Sequence, residues 1–237
     1  ADGSMARGAT LTAFAQEHQI PVISIAEIKE YQEKLEPLPK VLSYPRYEFE
    51  WVDVQLASGL WSLATYPSLK HREQVVMRFG SGDKTPLVRL HSECFTGDVV
   101  HSQRCDCGEQ LEASINLIQA HGHGYIIYLR DHEGRGIGLT EKIKAYQLQD
   151  QGMDTIDANL HLGHEIDARD WNDAVAIVKA LGLSHVQLLT NNPNKVAALK
   201  NSGITVTQKP LVIASNKFNE KYLATKEEKL GHTRGGK

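Results

Sequence analysis

The three cysteines of this chain, Cys94, Cys105 and Cys107, all lie within one short stretch, HSECFTGDVVHSQRCDCGEQ. Thiolates at this spacing suit zinc, which prefers sulfur and nitrogen ligands in a tetrahedron. Three protein ligands would leave one position open, and an open position distinguishes a catalytic zinc that activates water from a closed structural site. Two alternatives stay open: a structural zinc completed by His91 or His101, and buried thiols that bind no metal.

Three further stretches could bind anions. RDHEGRGIGL, at 130–139, places three glycines beside two arginines, so that its backbone could approach a phosphate closely. LLTNNPNK, at 188–195, ends a predicted strand and opens a predicted helix, and DARD, at 167–170, is typical of a helix N-terminus. Each of these stretches alone is explained more simply by a tight connection or an ordinary capped helix. The glycine-rich stretch matches neither a Walker A loop nor a GxGxxG turn.

The elements that must position these residues change in type along the chain. Residues 41–90 alternate apolar and polar positions in short pieces, which predicts antiparallel strands. After the cysteines, predicted helices alternate with buried strands. The helices are predicted at 108–122, 139–152, 168–182 and 192–203, and the strands at 124–130 and 185–190. We therefore predict an α/β fold, a layered mixed sheet with helices, preceded by an antiparallel strand-rich segment and with ligand loops at strand ends.

The N-terminal part reads as a separate segment. We predict the end of a helix at 11–19, a short strand at PVISI (21–25) and a helix at 26–36 that the PLP of 37–39 ends. The predicted domains are therefore 1–36, a tail and linker, and 37–237. Helix caps are predicted at Asp170 and at Asn191 or Asn192.

Bulk composition excludes several classes of protein. The 237 residues contain no apolar run of the roughly 20 residues that span a bilayer, which argues against a membrane protein. A net charge of -3 lacks the signature of a nucleic-acid binder. An odd number of cysteines and the absence of a signal-peptide pattern favour reduced thiols and a cytoplasmic location.

Several motifs together resemble one family. RLHSECFTGDV, RCDCGEQLEA, HEGRGIGLTEKIKAYQLQDQG, DTIDAN, ARDW and LLTNNPNK occur in the order and at the spacings of GTP cyclohydrolase II, from about residue 86 to His232. The resemblance implies zinc-dependent opening of the imidazole ring of GTP, with release of formate and pyrophosphate. The product would be 2,5-diamino-6-(5-phosphoribosylamino)pyrimidin-4-one, made in the first step of riboflavin synthesis. It also implies one Zn2+ per subunit on the three cysteines, Mg2+ with the triphosphate, and a homodimer.

The same resemblance implies residue roles. Asp167 would be the proton acceptor, Arg169 the nucleophile, and Tyr146 would lie near the reacting ring. Because a guanidinium with a pKa above about 12 is a poor nucleophile, electrostatic stabilisation is an equally physical role for Arg169. Gln110 and Glu93 would read the guanine edge. The implied substrate-binding residues are Arg89, Leu90, His91, Ser92, Glu93, Gln110, Glu133, Gly134, Arg135, Thr155, Thr190 and Lys195.

Two departures and one further resemblance qualify these expectations. The loop around His132 is one residue longer than in a common form of the family, and Met153 stands where tyrosine is frequent. These departures leave open a variant cyclohydrolase that retains the formyl group. A second alternative is a degenerate module that binds GTP without catalysis. The N-terminal segment resembles the C-terminal end of 3,4-dihydroxy-2-butanone 4-phosphate synthase. This resemblance implies a fusion of the two enzymes, and we expect the present chain to lack the synthase activity.

Overall fold

The computed structural model describes residues 8–27, 31, 47–68 and 72–220. The chain divides into two compact units, Ala1–Pro45 and Arg46–Lys237. The predicted boundary at 37–39 and most of the predicted helix at 26–36 lie outside the described residues. The domain limits that the sequence suggests therefore stay a prediction.

The first unit contains a helix where one is predicted but no strand at PVISI. Helix α1 spans Ala9–Glu17, whereas residues 21–24 have no regular structure and 25–27 are helical. The strand prediction is wrong because a capping box starts a helical turn at this point. The Glu27 carboxylate accepts the N–H of Ser24 at 2.7 Å, and the Ser24 hydroxyl accepts the N–H of Glu27 at 3.1 Å.

The second unit is built on one seven-stranded mixed sheet, which confirms the predicted fold class. The strand order is β1-β2-β3-β5-β4-β6-β7. Neighbours in the first half, from β1 to β5, pair antiparallel, and those from β5 to β7 pair parallel. The strands are β1 Val52–Leu56, β2 Gly59–Tyr66, β3 Gln74–Gly80, β4 Leu87–Ser92, β5 His123–Leu129, β6 His185–Leu189 and β7 Thr205–Lys209.

Strand β4 corrects one part of the sequence prediction. PLVRL was grouped with the antiparallel pieces, but β4 lies between β5 and β6 and runs parallel to both. Every residue from Leu87 to His91 is buried, as expected for a central parallel strand with both faces covered. The burial alternation that marks a half-exposed strand is therefore absent here, although the buried residues include Arg89 and His91 as well as apolar side chains.

The helices of this unit are α2 Phe95–Asp98, α3 Cys107–His121, α4 Leu139–Asp150, α5 Thr155–His161, α6 Asn172–Ala180 and α7 Pro193–Asn201, with a 3-10 helix at Arg130–Arg135. Four of them, α3, α4, α6 and α7, were predicted and have shifted ends, whereas α2 and α5 were not predicted. Helix α6 begins later than predicted, at Asn172, and its N-cap is Trp171, so the predicted cap at Asp170 is wrong. The Asp170 carboxylate accepts the N–H of Asn172 at 3.1 Å from the position before the N-cap. The predicted cap at Asn192 is confirmed by a bond of 2.8 Å from the N–H of Asn194.

The parallel half of the sheet brings the chemical motifs to one edge. The cysteine stretch follows β4, the glycine-rich stretch follows β5, and Thr190 follows β6 directly. Ligand sites lie at the carboxyl ends of strands in sheets of this kind. Beneath them, α3 packs on a core cluster that includes Trp61, Ile118 and Ile126. Among the described helices, none is both long and apolar enough to cross a membrane.

Candidate active site and metal centre

The three thiols form a compact, largely buried cluster. Cys94 precedes α2, while Cys105 and Cys107 lie at the start of α3. Their sulfur atoms all lie within 4.8 Å of one another, and the Sγ atoms of Cys94 and Cys105 are 3.6 Å apart. Such a set of soft ligands is what zinc requires, with three positions supplied by the protein.

Gly97 in α2 provides the space that the thiols need. A Cβ at this residue would lie 3.0 Å from the Sγ of Cys105, 3.0 Å from the Cβ of Cys107 and 3.2 Å from the Sγ of Cys94. Only glycine allows the helix backbone to pack this closely over the three cysteines. The donor set and its cradle therefore fit a bound zinc ion.

A buried ion pair adjoins the cluster. The Lys142 ammonium donates to the Sγ of Cys94 at 3.1 Å and to the Oε1 of Glu133 at 2.7 Å. Hydrogen bonds from the thiols of Cys105 and Cys107, together with the Lys142 charge, hold the pKa of Cys94 far below its usual range. Hydrogen bonds with Cys105 and Cys94, followed by burial, raise the pKa of Cys107. Because zinc binds cysteine as the thiolate, metal binding would release the protons that the thiols carry.

Asp98 fixes the backbone of the first cysteine. Its carboxylate accepts the N–H of Cys94 at 3.0 Å and the hydroxyl of Tyr128 at 2.8 Å, and it lies 3.1 Å from the Nε2 of His91. Burial lowers the pKa of His91, so this imidazole is neutral. The network ties Cys94 to the ends of β4 and β5, and the sequence alone did not indicate it.

A cavity of about 670 Å³, its open mouth included, adjoins the thiols. Its lining residues come from helices α4 and α5, from the 3-10 helix, from the cysteine stretch and from the segment before α6. Eleven of the residues predicted from the sequence line it: Ser92, Glu93, Cys94, Cys105, Cys107, Glu133, Gly134, Arg135, Tyr146, Thr155 and Arg169.

Two arginines give one end of the cavity a positive charge. The terminal nitrogens of Arg135 are buried and have no hydrogen-bond partner among the described residues. Arg135 adopts a φ of 65°, and its carbonyl accepts the N–H of Ala168 at 3.0 Å, which joins the two loops. Arg169 is held by Asp167 through bonds of 2.8 Å and 2.6 Å. A buried guanidinium without a partner is a favourable place for an anionic group.

Glu93 is an acidic residue of the cavity. Its Oε2 is buried and has no hydrogen-bond partner within the described part of the chain. Burial, followed by repulsion from Glu133, raises the pKa of Glu93. An unsatisfied acceptor at this position suits a ligand that brings N–H groups.

His132, in the lengthened loop, belongs to the framework of the site. Its Nε2 donates to the carbonyl of Asp170 at 2.8 Å, so its Nδ1 accepts the hydroxyl of Ser92 at 3.1 Å. Burial and the nearby charges of Arg169 and Lys195 lower the pKa of His132 to about 3. The imidazole is therefore neutral, and it links the end of β4 to the segment before α6.

Seven predicted residues lie behind the cavity wall rather than on it. The side-chain amide of Gln110 accepts from Arg89 at 2.5 Å and donates to Asp106 at 2.5 Å, so both of its ends are engaged. Lys195 donates to the carbonyl of Leu90 at 2.7 Å. The seven residues are Arg89, Leu90, His91, Gln110, Asp167, Thr190 and Lys195. A direct contact between these residues and substrate stays a prediction.

The structure also places residues at the site that the sequence reasoning did not select. Arg104, His132, Lys142 and Asn159 line the cavity, and Asp98 supports the thiol cluster. The sequence contained a signal for Asn159, which follows Thr155 by four residues within DTIDAN, so that on a helix the two share one face. It contained no signal for Lys142, because a buried lysine pairs with partners that lie far away in sequence.

Comparisons with known proteins agree with this geometry. Residues 48–210 match the family model described as GTP cyclohydrolase II. The chain is 42% identical over 238 residues to a probable monofunctional riboflavin biosynthesis protein RIBA 3, chloroplastic, of Oryza sativa, covering 99% of this chain and 43% of that protein. It is 42% identical over 235 residues to riboflavin biosynthesis protein RibBA of Salinispora tropica, covering 99% of this chain and 58% of that protein.

A RibBA protein of Staphylococcus saprophyticus is 43% identical over 238 residues, covering 98% of this chain and 57% of that protein. The chain thus spans about half the length of the curated relatives that it matches. The match to the family model covers well over half of the chain's 237 residues. The chain therefore belongs to the GTP cyclohydrolase II family.

Proposed function

We propose that this chain carries a zinc-dependent GTP cyclohydrolase II that converts GTP to 2,5-diamino-6-(5-phosphoribosylamino)pyrimidin-4-one, formate and pyrophosphate. This reaction would be the first step of riboflavin biosynthesis, the process in the names of its relatives. One observation carries the proposal. The three-thiol cluster lines the same cavity as Arg135, whose terminal guanidinium nitrogens have no hydrogen-bond partner among the described residues.

The thiols of Cys94, Cys105 and Cys107 would hold the zinc. A zinc ion with three protein ligands supplies a Lewis acid and lowers the pKa of a bound water toward about 7. Lys142 donates to Cys94 and offsets part of the negative charge that three thiolates bring. Glu133 holds that lysine in place. The protein thus keeps a charged ligand set within a largely buried site.

The arginine end of the cavity would bind the triphosphate. Arg135 has free donors there, and Arg169 is held in a fixed orientation by Asp167 and contacts the Ser92 hydroxyl at 3.3 Å. Phosphates prefer such guanidinium donors, and Mg2+ would bind together with the triphosphate and offset part of its negative charge.

The geometry favours an electrostatic role for Arg169. Burial alone would raise the pKa of Asp167, but the hydrogen bonds and charge of Arg169 bring it below its usual range. A carboxylate with a lowered pKa is a weak proton acceptor, while a guanidinium that it holds rigidly is well placed to stabilise developing charge. Asp167 therefore orients Arg169 in this arrangement.

We further infer that the chain is part of a longer, fused protein. Relatives match 98–99% of the chain, including the part before residue 48 where the family model begins. One of them is named a bifunctional riboflavin biosynthesis protein. We propose that the extra length carries a 3,4-dihydroxy-2-butanone 4-phosphate synthase, that the protein is a homodimer, and that it acts in the cytoplasm.

Mass spectrometry of the reaction product tests the proposal. Purified protein with GTP, Zn2+ and Mg2+ should give the deformylated pyrimidine, and Cys105→Ser should give none. A product that keeps the formyl group would favour the variant cyclohydrolase. GTP that binds but is recovered unchanged would favour a degenerate GTP-binding module and contradict the proposal.

A further inference from the structure

Asn159 occupies a fixed position on the wall of the cavity. Asp154 caps α5, since its carboxylate accepts the N–H groups of Ile156 and Asp157 at 2.8 Å and 3.0 Å. Asn159 lies one helical turn after Thr155, and both side chains line the cavity that the thiols adjoin. Only 3% of Asn159 is exposed. Its place is therefore set by the helix rather than by solvent.

No hydrogen bond joins the carboxamide of Asn159 to any other residue that the structure describes, and the side chain lines the cavity. A polar side chain that faces a cavity without a protein partner is available to bond a ligand. Because the amide lines the cavity, a bound ligand can supply the missing bonds.

The surroundings of Asn159 suit the neutral part of a nucleotide. Ala145, Tyr146 and Gln149, on α4, line the same cavity as Asn159, and Arg135 and Arg169 also line it. Arg104, which also lines the cavity, stacks at 4.8 Å over the Tyr146 ring. A flat aromatic and apolar wall with an uncharged amide is a typical environment for a base, whereas phosphates would go to the arginines.

We propose that Asn159 is a specificity-determining residue whose carboxamide binds the O6 and N1–H edge of guanine. The amide N–H would donate to O6, and the amide oxygen would accept N1–H. This edge lies at the far end of the purine from C8, so it belongs away from the thiols but in the same cavity. Gln110, predicted from the sequence for this task, has both ends of its amide engaged by Arg89 and Asp106.

This inference rests on the proposed function, since C8 must face the thiols. Its test compares GTP with 2-aminopurine riboside triphosphate, which lacks O6 and N1–H. ATP is a poorer probe because a carboxamide can rotate to pair with adenine as well. For Asn159→Ala we expect kcat/KM for GTP to fall about 10- to 100-fold, as for loss of a bidentate base contact. The inhibition constant of the 2-aminopurine compound should stay within about twofold of that of the wild type.

Two further variants keep the test decisive. Asn159→Asp preserves the shape but removes the donor to O6, so it should show the same selective loss if Asn159→Ala does not fold. Asn201→Ala, at the exposed end of α7, is the matched control and should behave as wild type. Equal losses for both nucleotides, or none for either, would overturn the role of Asn159. Failure of the wild type to form any pyrimidine would instead overturn the proposed function, and the inference with it.

Discussion

Replacing Gly97 with alanine adds one methyl group at the centre of the thiol cluster. The new Cβ would lie 3.0–3.2 Å from atoms of all three cysteines, a distance shorter than ordinary van der Waals contact. Because Gly97 is buried against the three cysteines, the methyl group must displace the sulfur atoms by a few tenths of an ångström. Overpacking of this kind costs about 1–3 kcal/mol.

We expect that cost to appear in metal binding. A distorted ligand set should bind zinc about 10- to 100-fold more weakly, which follows from about 1.4 kcal/mol per tenfold change in affinity. Helix propensity alone predicts that Gly97→Ala raises the free energy of unfolding, since alanine is favoured over glycine inside a helix by about 1 kcal/mol. A loss of zinc affinity in Gly97→Ala would therefore reflect the packing against the thiols and not a general weakening of the helix.

The assay is competition for zinc between the protein and a chromophoric chelator at fixed pH, together with thermal unfolding of each variant. Gly203→Ala is the matched control, because a Cβ there meets nothing within 4 Å while its φ of 88° disfavours alanine. It should lower stability by about 1–2 kcal/mol and leave zinc affinity unchanged. Wild-type zinc affinity in Gly97→Ala would refute the assignment of this cluster as the metal site.

Four other predictions concern the network around the cavity. Asp98→Ala leaves the hydroxyl of Tyr128 without its hydrogen-bond acceptor. We expect the free energy of unfolding, measured in urea, to fall by about 1–3 kcal/mol for each group left unpaired in this way. Arg135→Met should raise KM for GTP about 10- to 100-fold with zinc content unchanged, since under the proposed function it would remove charged hydrogen bonds to phosphate. If Arg169 acts electrostatically, Arg169→Lys should keep measurable turnover, and rapid-quench analysis of the wild type should find no covalent guanylyl adduct. The pKa of His132 is about 3 in the folded chain and near 6.5 in the unfolded chain, so between these values only the unfolded chain is protonated at His132. The free energy of unfolding should therefore fall as the pH drops below 6.5. In urea titrations at about pH 5, the wild type should lose up to roughly 2 kcal/mol more than His132→Gln.

The sequence predicted most of the second unit because its local signals agree with the tertiary structure. Gly122 ends α3 with a φ of 90°, and Asn192 caps α7 as expected. The prediction was wrong where a signal was ambiguous. Strand β4 carries apolar residues that suit either pairing direction, and only its place between β5 and β6 decides that it is parallel. At residues 21–25, β-branched residues indicated a strand, but the Ser24 and Glu27 capping box favours a helix.

The candidate site was predicted in its ligands but not in its supporting contacts. Cysteine spacing favoured a metal site but left open buried thiols that bind no metal, and the structure brings the three sulfur atoms within 4.8 Å of one another. The pairing of Lys142 with Cys94, 48 residues apart, and that of His132 with Ser92, 40 residues apart, depend on tertiary contacts that no local pattern encodes. For the same reason the sequence could not show that the amide of Gln110 is engaged while that of Asn159 is not.

Formate release from GTP by metal-depleted and zinc-restored protein tests the central claim most directly. The protein would be stripped with a chelator, desalted, and assayed with Mg2+ before and after addition of one equivalent of Zn2+. The account predicts no formate from the stripped protein and full recovery with zinc, with Cys105→Ser inactive in both states. Formate release by fully metal-free protein at the wild-type rate would contradict the assignment of the thiol cluster as the catalytic centre.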